Sequence, residues 1–315
     1  MAADLALVTG GLGFIGSHVV RALVAEGTRV RVLDNGSTGS MENLAGLCRS
    51  VEVIEGDVRN AIACGSACRG VHTVYHLAAY ISVPGSIQDP VTADAVNIGG
   101  ALNLLMAAHR AGARRLVFSS SAAVYGETDV VPAHENLSPA PLSPYGVEKV
   151  YGEMMCRVYD ALHGLETVAL RYFNVYGPRQ DPRSEYAAVV PRFISMLLAG
   201  ETPTIYGDGE QTRDFLFVED VARANLLAAK APEARGHTVN IGGGVRITVN
   251  ALYGALRDAV GQGGAPIHGP ERAGDIRHSG ADIRRAQALL GFAPDVSLAE
   301  GLRRTVAFHQ DQQAA

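Results

Sequence analysis

The sequence has no excess of basic charge, few cysteines and no long apolar run. Its 315 residues include 27 Lys and Arg against 32 Asp and Glu, a formal net charge of −5. This balance gives no basic footprint for nucleic acid. Local arginines must therefore hold any anionic ligand, because the overall field opposes its binding.

The four cysteines do not show the spacing of a metal site. Only Cys64 and Cys68 are close together, in CGSAC, and no second Cys/His pair lies nearby to complete a zinc site. We therefore expect free thiols in a reducing cytoplasm, and we predict no metal.

No apolar run approaches the roughly 20 residues that span a bilayer. The first residues, MAADLALVTGG, have no basic n-region or cleavage pattern, and their apolar part leads directly into a glycine turn. We interpret them as a first strand rather than a signal peptide, and expect no membrane partner.

Short β-branched runs alternate with helix-length patterns in the first half of the chain. The strand-like runs are LALVTGG, RVRVLD, VEVIEGD, TVYHLAA and RRLVFSSS, followed later by TVALRYFNVYG and HTVNIGG. This alternation predicts an α/β fold, a doubly wound parallel sheet with helices on both faces. Ligands of such sheets bind beyond the carboxyl ends of the strands.

The rhythm breaks after Gly177, where turn-rich segments such as PRQDPRSEY begin. We expect a smaller lobe there, assembled from separate pieces. The predicted main domain, which carries the parallel sheet, covers residues 1–176, with 216–263 returning to it. The predicted smaller lobe covers residues 177–215 and 264–315.

A glycine pattern joins the first strand to the first helix. Gly10, Gly13 and Gly16 lie in VTGGLGFIGSHVV, where a turn can approach a pyrophosphate at a helix N-terminus. Asp34 ends the next strand, near the position where a carboxylate receives the ribose hydroxyls. A carboxylate would repel a 2′-phosphate, and Asn35 and Gly36 offer no arginine to bind one, so the pattern predicts NAD rather than NADP.

Two further patterns fall at the predicted carboxyl edge. Three serines, Ser119 to Ser121, end the fifth strand, and SPYGVEK places Tyr145 and Lys149 four residues apart on one helical face. Each has an ordinary alternative, since serines cap turns and such a pair can be two surface neighbours. Convergence of these patterns with the glycine turn favours a catalytic site.

These motifs resemble those of the extended short-chain dehydrogenases/reductases, specifically the nucleotide-sugar 4-epimerase group typified by UDP-glucose 4-epimerase. The resemblance covers nearly the whole chain in the family's order, through VTGGLGFIGSH, LDNGSTG, EGDVR, YHLAA, VNIGGALNLL, VFSSSAAVYG, SPYGVEK, RYFNVYGPRQDP, YGDGEQTRDFLFVEDV and RAGDIRHSGAD.

The resemblance implies that Tyr145 is the catalytic base, that Lys149 is its electrostatic partner and that Ser121 relays the sugar's C4 hydroxyl proton. A lysine and the positive nicotinamide ring together could lower the pKa of Tyr145 from about 10 toward working pH. We expect Ser119 and Ser120 to face the cofactor or the turn. The NAD contacts are expected to be Gly10, Gly13, Phe14, Ile15, Gly16, Asp34, Asn35, Asp57, Val58, Leu77, Ala78, Ala79, Asn97, Ser119, Tyr145, Lys149, Tyr172 and Val175. Asn97 has an alternative role as a helix cap.

The resemblance also implies a UDP-sugar substrate. Its expected contacts are Ser121, Tyr145, Asn174, Val189, Arg192, Thr204, Tyr206, Arg213, Arg272, Asp275 and Ser279. Arg213 and Arg272 resemble pyrophosphate ligands, Val189, Thr204 and Tyr206 the uridine-side wall, and a serine at 279 should leave room for an N-acetyl group.

Ala122 and Ala123 favour epimerisation over elimination. Related enzymes that dehydrate or decarboxylate sugars carry an acid or base at these positions, and alanine cannot transfer a proton. The implied reaction is 4-epimerisation of UDP-glucose/UDP-galactose, including N-acetylated forms, through a transient 4-keto sugar with NAD kept bound.

Several alternatives stay open. Arg192 could reach the carboxylate of UDP-glucuronic acid, and a related dehydratase, decarboxylase or reductase would lose water or carbon dioxide or consume external NAD(P)H. A non-catalytic NAD-sensing protein of the same fold is the alternative from another class. Family resemblance also implies a homodimer through a four-helix bundle, formed by helices that begin near Asn97 and Tyr145.

Overall fold

The structure is a computed structural model that describes residues 4–47, 50–182, 188–271 and 276–314. Its strands are β1 Leu5–Thr9, β2 Arg29–Asp34, β3 Val51–Glu55, β4 Thr73–His76, β5 Arg115–Ser121, β6 Glu166–Tyr172, β7 Asn174–Tyr176, β8 Thr204–Tyr206, β9 Thr212–Phe217, β10 Thr238–Ile241, β11 Arg246–Thr248 and β12 Ile267–Gly269.

Eleven α-helices connect and cover the strands in the described ranges. They are α1 Phe14–Ala25, α2 Ala61–Ala67, α3 Val83–Gln88, α4 Pro90–Asp94, α5 Gly100–Arg110, α6 Pro144–His163, α7 Val189–Leu198, α8 Val218–Lys230, α9 Val249–Val260, α10 Arg284–Leu290 and α11 Leu298–Ala314. A π-helical turn, Ala95–Gly99, joins α4 to α5.

The central sheet has seven strands in the order β3-β2-β1-β4-β5-β6-β10. All six neighbouring pairs are parallel. The chain winds outward from β1 in both directions, so the strand order reverses between β1 and β4, which is where doubly wound sheets bind ligands. The predicted fold class is confirmed.

Apolar side chains bury both faces of this sheet. On one face α1, α8 and α10 contribute to a cluster with Val8, Val32 and Leu170. On the other face α2, α5 and α6 pack with Leu7, Val74 and Leu116. Successive residues of one strand point to opposite faces, so these Val- and Leu-rich runs read as continuously apolar.

The remaining strands form two small sheets, β11-β9-β7 and β12-β8. A third apolar cluster lies beside them and contains side chains of α7, α9 and α11, with Tyr176 and Phe217. Helix α10 packs instead with the first face of the central sheet. The domain limits given above stay a prediction.

The run TVALRYFNVYG forms two strands in two sheets rather than one. The Phe173 backbone N–H still donates to the Ile241 carbonyl at 3.0 Å. From Asn174 onward the chain pairs in parallel with β9 instead. This change of partner carries the chain from the central sheet into the small-sheet region.

Among the described helical stretches, Pro90–Arg110 is long and apolar enough to cross a membrane by length and composition. Its side chains Ala93, Leu104 and Leu105 are buried in the fold. Core helices of water-soluble domains meet the same criterion, and α5 packs here against α2 and α6.

Candidate active site

The glycine turn lies at the carboxyl end of β1, and its geometry requires small residues. Gly10 has φ +71°, and a Cβ on Gly16 would lie 2.0 Å from the Gly10 carbonyl oxygen. Helix α1 begins at Phe14, and Gly13 provides no side-chain cap for it. The first turn of α1 also has no acidic residue. This arrangement suits a dinucleotide pyrophosphate.

Asp34 lies beside this turn at the end of β2. Its carboxylate accepts the N–H of Leu12 and that of Gly36, both at 2.9 Å. These bonds fix the carboxylate at the edge where the ribose of a dinucleotide is expected.

The loop after β3 contains an arginine that the sequence interpretation missed. The Arg59 guanidinium donates two hydrogen bonds to Asp57, at 3.0 and 2.7 Å, its backbone N–H donates another at 2.8 Å, and Asn35 donates a fourth at 2.8 Å. These bonds, above all those from Arg59, lower the pKa of Asp57 to about 2. Arg59 follows β3, whereas the residues next to Asp34 follow β2. Because its guanidinium is engaged by Asp57, it does not alter the NAD prediction.

The loop after β4 is fixed from two directions. The Thr9 hydroxyl accepts the Ala78 N–H at 3.2 Å, and the Thr9 carbonyl accepts the Leu77 N–H at 3.1 Å. On the other side Asn97 receives the Tyr80 N–H at 2.8 Å and donates to its carbonyl at 3.0 Å. Asn97 lies inside the π-helical turn, so the capping alternative for this residue is wrong.

Tyr145 and Ser121 meet at the carboxyl end of β5. The Ser143 hydroxyl caps α6 by accepting the Gly146 N–H at 3.2 Å, which places Tyr145 in the first turn. Ser121 acts on the phenol, since its hydroxyl works to lower the pKa of Tyr145. The Ser121 hydroxyl also accepts the Ala123 N–H at 3.1 Å. Ser121 therefore caps the turn and lies on the side of Tyr145.

Lys149 lies one helical turn beyond Tyr145 and is buried. Its ammonium Nζ donates to the Ser119 carbonyl at 2.9 Å. It lies 5.5 Å from the centroid of the Tyr145 ring and 5.2 Å from that of Phe118. The i, i+4 spacing thus brings both side chains to the serine end of β5.

The pKa values of this pair shift in directions set by burial. Burial raises the pKa of Tyr145 to about 12, although Ser121 acts in the opposite direction. Burial lowers the pKa of Lys149 to about 8, against the effects of Glu148 and Glu153. The expected lowering of the phenol pKa is therefore not achieved by the protein's own groups.

The other two serines form hydrogen bonds with other side chains. Ser119 lies 3.1 Å from the Tyr172 hydroxyl, which in turn donates to Asn225 at 2.9 Å. Ser120 faces neither cofactor nor turn, contrary to expectation. Strand alternation directs it toward α6, where its hydroxyl donates to Glu153 at 2.5 Å.

Among the predicted substrate contacts, Asn174 and Arg213 share one face of a small sheet. Asn174 pairs with Phe215 in the parallel β7–β9 register, and Arg213 lies two residues before Phe215. The Arg213 guanidinium donates to the Thr212 carbonyl at 2.9 Å. The same Thr212 carbonyl accepts the Ser279 N–H at 3.0 Å, so Ser279 is close.

The remaining predicted contacts are more scattered. Thr204 and Tyr206 belong to β8, Val189 is the first residue of α7, and Arg192 is exposed on that helix. Arg272 and Asp275 lie outside the described residues. Phe14, Ile15, Val58, Ala79 and Val175 lie in or beside the glycine turn and strand ends, in agreement with their sequence positions. All of these roles stay predictions.

Sequence interpretation missed a buried polar layer beneath Lys149. Glu153 receives two hydrogen bonds from Arg171, at 2.8 and 2.7 Å, and both side chains are about 2% exposed. Glu148 accepts a hydrogen bond from the Asn97 amide at 2.5 Å. The available signal was an acidic residue on each side of Lys149 along α6, a position usually interpreted as solvated helix surface.

Comparison with known proteins supplies the family. The profile of the NAD dependent epimerase/dehydratase family matches residues 6–242. UDP-glucose 4-epimerase of Mycolicibacterium smegmatis is 41% identical over 310 residues, covering 97% of this chain and 98% of that protein.

Two solved structures share the whole fold. One is UDP-N-acetylglucosamine 4-epimerase from Methanobrevibacter ruminantium, solved with UDP-N-acetylmuramic acid, with TM-score 0.95, 41% identity and coverage of 99% and 100%. The other is UDP-glucose 4-epimerase from Thermotoga maritima with UDP-glucose, with TM-score 0.93, 40% identity and coverage of 98% and 99%. The chain belongs to the NAD dependent epimerase/dehydratase family.

Proposed function

We propose that this protein is an isomerase that interconverts the C4 epimers of a UDP-hexose with NAD as a resident cofactor. The observation that carries this proposal is the meeting of Ser121, Tyr145 and Lys149 at the carboxyl end of β5, followed by Ala122 and Ala123. Similarity to 4-epimerases over nearly the full chain supports the same reaction.

NAD would be held by the glycine turn, Asp34 and the loop after β4. The close approach of Gly16 to Gly10 and the open N-terminus of α1 suit its pyrophosphate. When bound, NAD would accept the hydride from sugar C4, return it, and favour the phenolate through its positive ring.

The protein's own residues would manage the proton. Tyr145 removes the proton of the C4 hydroxyl as the C4–H bond breaks, and a 4-keto sugar results. Ser121 holds the C4 oxygen near the phenol, and Lys149 stabilises the phenolate by its charge. After the sugar turns over, Tyr145 would return the proton to the C4 oxygen, and return of the hydride to the opposite face of C4 would give the other epimer.

Epimerisation rather than elimination is favoured by the turn after β5. Ser121 begins a 3-10 helix, Ala122–Tyr125, and its first two side chains are methyl groups. Loss of water or carbon dioxide needs a further proton donor or acceptor beside the sugar. This short turn offers none before Tyr125, whose hydroxyl donates to Asn240 at 2.7 Å.

The proposed substrate is a UDP-hexose with an uncharged sugar. Arg213 and Asn174 share a sheet face and would bind the diphosphate, for which a guanidinium fork is well suited. Ser279 is close to Arg213, and its small side chain would leave room for an N-acetyl group. UDP-glucose/UDP-galactose and their N-acetylated forms are therefore the substrates we propose.

The test is to incubate the purified protein, without added cofactor, with UDP-galactose, UDP-N-acetylgalactosamine and UDP-glucuronic acid. We expect C4 epimers of the first two, resolved by chromatography and NMR. Conversion of UDP-glucuronic acid alone would show that the proposed uncharged sugar is wrong. Loss of water or carbon dioxide, or a requirement for external NAD(P)H, would overturn epimerisation itself.

We propose that the assembled form is a homodimer. Along α6 the apolar side chains Val147, Met154, Val158 and Leu162 are 52, 57, 41 and 74% exposed and recur at helical spacing. Val91 on the adjacent α4 is 78% exposed. An exposed apolar stripe of this kind fits a second copy, which would form a four-helix bundle.

Light scattering tests the dimer, since one chain weighs 33.1 kDa. We expect twice this mass for the native chain and the single mass for Val158→Glu. Val130→Glu, an exposed valine away from this stripe, should stay dimeric. A native mass of one chain would refute the dimer.

A cytoplasmic location is also part of the proposal. Cys64, Cys68 and Cys156 are free and buried, as expected in a reducing compartment.

A further inference from the structure

Two buried carboxylates flank Lys149 on α6. Glu148 precedes it directly and is 3% exposed, and Glu153 follows one turn later and is 2% exposed. Transfer of a carboxylate into the interior costs free energy unless a partner compensates it. These two residues therefore do not belong to the solvated surface of the helix, and neither has a role in the proposed reaction.

The two charges are compensated differently. Glu153 is neutralised by the bidentate Arg171 guanidinium. Glu148 instead accepts the neutral amide of Asn97 at 2.5 Å. Within the described ranges no arginine forms a salt bridge with Glu148. Both carboxylates raise the pKa of Lys149, and Glu148, which no guanidinium in these ranges neutralises, also raises that of Tyr145.

The Asn97 amide also fixes the place of Glu148. The backbone N–H and carbonyl of Tyr80 both form hydrogen bonds with the Asn97 amide. The π-helical turn presents this amide toward α6. Turns of π-helix occur frequently at functional sites. The Glu148 carboxylate is thus held at a defined position three residues after Tyr145.

We infer that Glu148 is the counter-charge that keeps Lys149 protonated and sets the pH range in which Tyr145 acts. It is a positioning residue, because it acts through Lys149 and Tyr145 rather than on substrate. This inference rests on the proposed function for its kinetic consequence, whereas its electrostatic consequence is independent of turnover.

The charged groups around Lys149 favour this assignment. From α6 they are Tyr145, Glu148 and Glu153, and from β6 Arg171, already paired with Glu153. His76 on β4 is neutral, because burial lowers its pKa to about 3. The Ser119 carbonyl of β5 is uncharged. Burial raises the pKa of Glu148, the bond from Asn97 lowers it, and the charge of Asp94, exposed on α4, raises it to a smaller extent.

The sign of the effect follows from the charge. A negative group raises the pKa of any neighbour that titrates, and Glu148 raises those of both Lys149 and Tyr145. In the holoprotein, where the nicotinamide charge would lower the phenol pKa below that of Lys149, activity needs deprotonated Tyr145, which sets the acid limb of the pH profile, and protonated Lys149, which sets its alkaline limb. Removal of the charge should move both limbs toward lower pH.

Two variants separate charge from hydrogen bonding. Glu148→Gln keeps an oxygen acceptor for Asn97 and removes the charge, whereas Glu148→Asp keeps the charge on a shorter side chain. For the glutamine variant we expect both limbs of kcat/KM to lie about one pH unit lower, a tenfold loss on the alkaline side. The limbs of the aspartate variant should stay in place. If the pH profile of Glu148→Gln keeps both limbs in place and its rate falls by the same factor at every pH, Glu148 contributes only a structural hydrogen bond and the inference is wrong.

A second readout does not need turnover. The phenolate absorbance of each purified holoprotein, minus that of its Tyr145→Phe version, reports the Tyr145 pKa. A lower midpoint in Glu148→Gln supports the inference, and an unchanged midpoint overturns it. Failure of the native chain to convert UDP-sugars would overturn the proposed function without affecting this titration.

Discussion

The cofactor side of the central sheet and the small-sheet region are held in place by different kinds of contact. In the glycine turn, Gly16 approaches Gly10 so closely that a Cβ would lie 2.0 Å from a backbone oxygen. In the small-sheet region, Arg213 binds backbone carbonyls, and Arg277 pairs with Asp208 with both side chains about half exposed. Interior packing fixes the first region before a ligand arrives, whereas a ligand can replace contacts in the second. Substitutions on the cofactor side should therefore lower kcat or the stability of the fold. Substitutions in the small-sheet region should weaken substrate binding.

Tyr145→Phe should give the largest effect. It removes the phenol hydroxyl proposed as the base and leaves the ring beside Lys149, whose ammonium lies 5.5 Å from the ring centroid. General base catalysis contributes about 10²- to 10⁴-fold. We therefore expect kcat to fall about a thousandfold, with little change in KM or melting temperature.

Tyr151→Phe on the same helix is the matched control and should retain full rate. A Tyr145→Phe variant at full rate would show that another group removes the proton.

Gly16→Ala tests the packed side of the comparison directly. The new methyl must displace the Gly10 carbonyl, because 2.0 Å is far inside contact distance. Overpacking of this kind costs about 1–3 kcal/mol, sometimes more. We expect a lower melting temperature and loss of resident NAD, measured as nucleotide released on denaturation.

Gly65→Ala supplies the control for this substitution. Its Cβ meets nothing within 4 Å in α2, so the helix should be slightly stabilised. Retention of NAD by Gly16→Ala would mean that the glycine turn can move and that interior packing does not fix it.

The same contrast explains what sequence could predict. The glycine spacing and the Tyr145–Lys149 spacing follow from local geometry, so both could be placed on a turn and a helix face. Buried charge could not be predicted, because the partner of Glu148 is Asn97 and that of Glu153 is Arg171, which are brought near only by the fold. A sequence pattern shows charge but not burial.

Burial also bears on the predicted pKa of the phenol, which stays a prediction for the protein with NAD bound. The i, i+4 spacing indicates that Lys149 is near Tyr145, and a nearby cation lowers the pKa of an acid. It cannot indicate how far each group is removed from water, and this burial, partial for Tyr145 and nearly complete for Lys149, raises the pKa of the first and lowers that of the second. The net direction therefore depends on the interior, and the proposed cofactor charge becomes necessary.

Arg213→Ala tests the region held by replaceable contacts. A hydrogen bond to a charged group contributes about 1.5–3 kcal/mol, so KM for the UDP-sugar should rise roughly 10- to 100-fold. We expect kcat to change little, because Arg213 lies away from Tyr145 in the β9 sheet.

Arg303→Ala, an exposed arginine paired with Glu300 on α11, should leave KM unchanged. A fall in kcat without a change in KM for Arg213→Ala would mean that this region also positions the sugar for chemistry.

Ser279→Tyr should have the smallest effect, confined to one class of substrate. The Ser279 backbone N–H donates to the Thr212 carbonyl, so its position depends on a backbone contact that a larger side chain can keep. A phenol ring would fill the space proposed for an N-acetyl group, and a crowded pocket costs about 1–3 kcal/mol. We expect turnover of UDP-N-acetylgalactosamine to fall at least tenfold while that of UDP-galactose changes less than twofold, measured as the ratio of the two kcat/KM values. Ser279→Ala keeps the pocket open and should preserve the native ratio. If kcat/KM for both sugars falls equally in Ser279→Tyr, Ser279 does not lie beside the N-acetyl group. Other residues of the small-sheet region would then determine the width of the pocket.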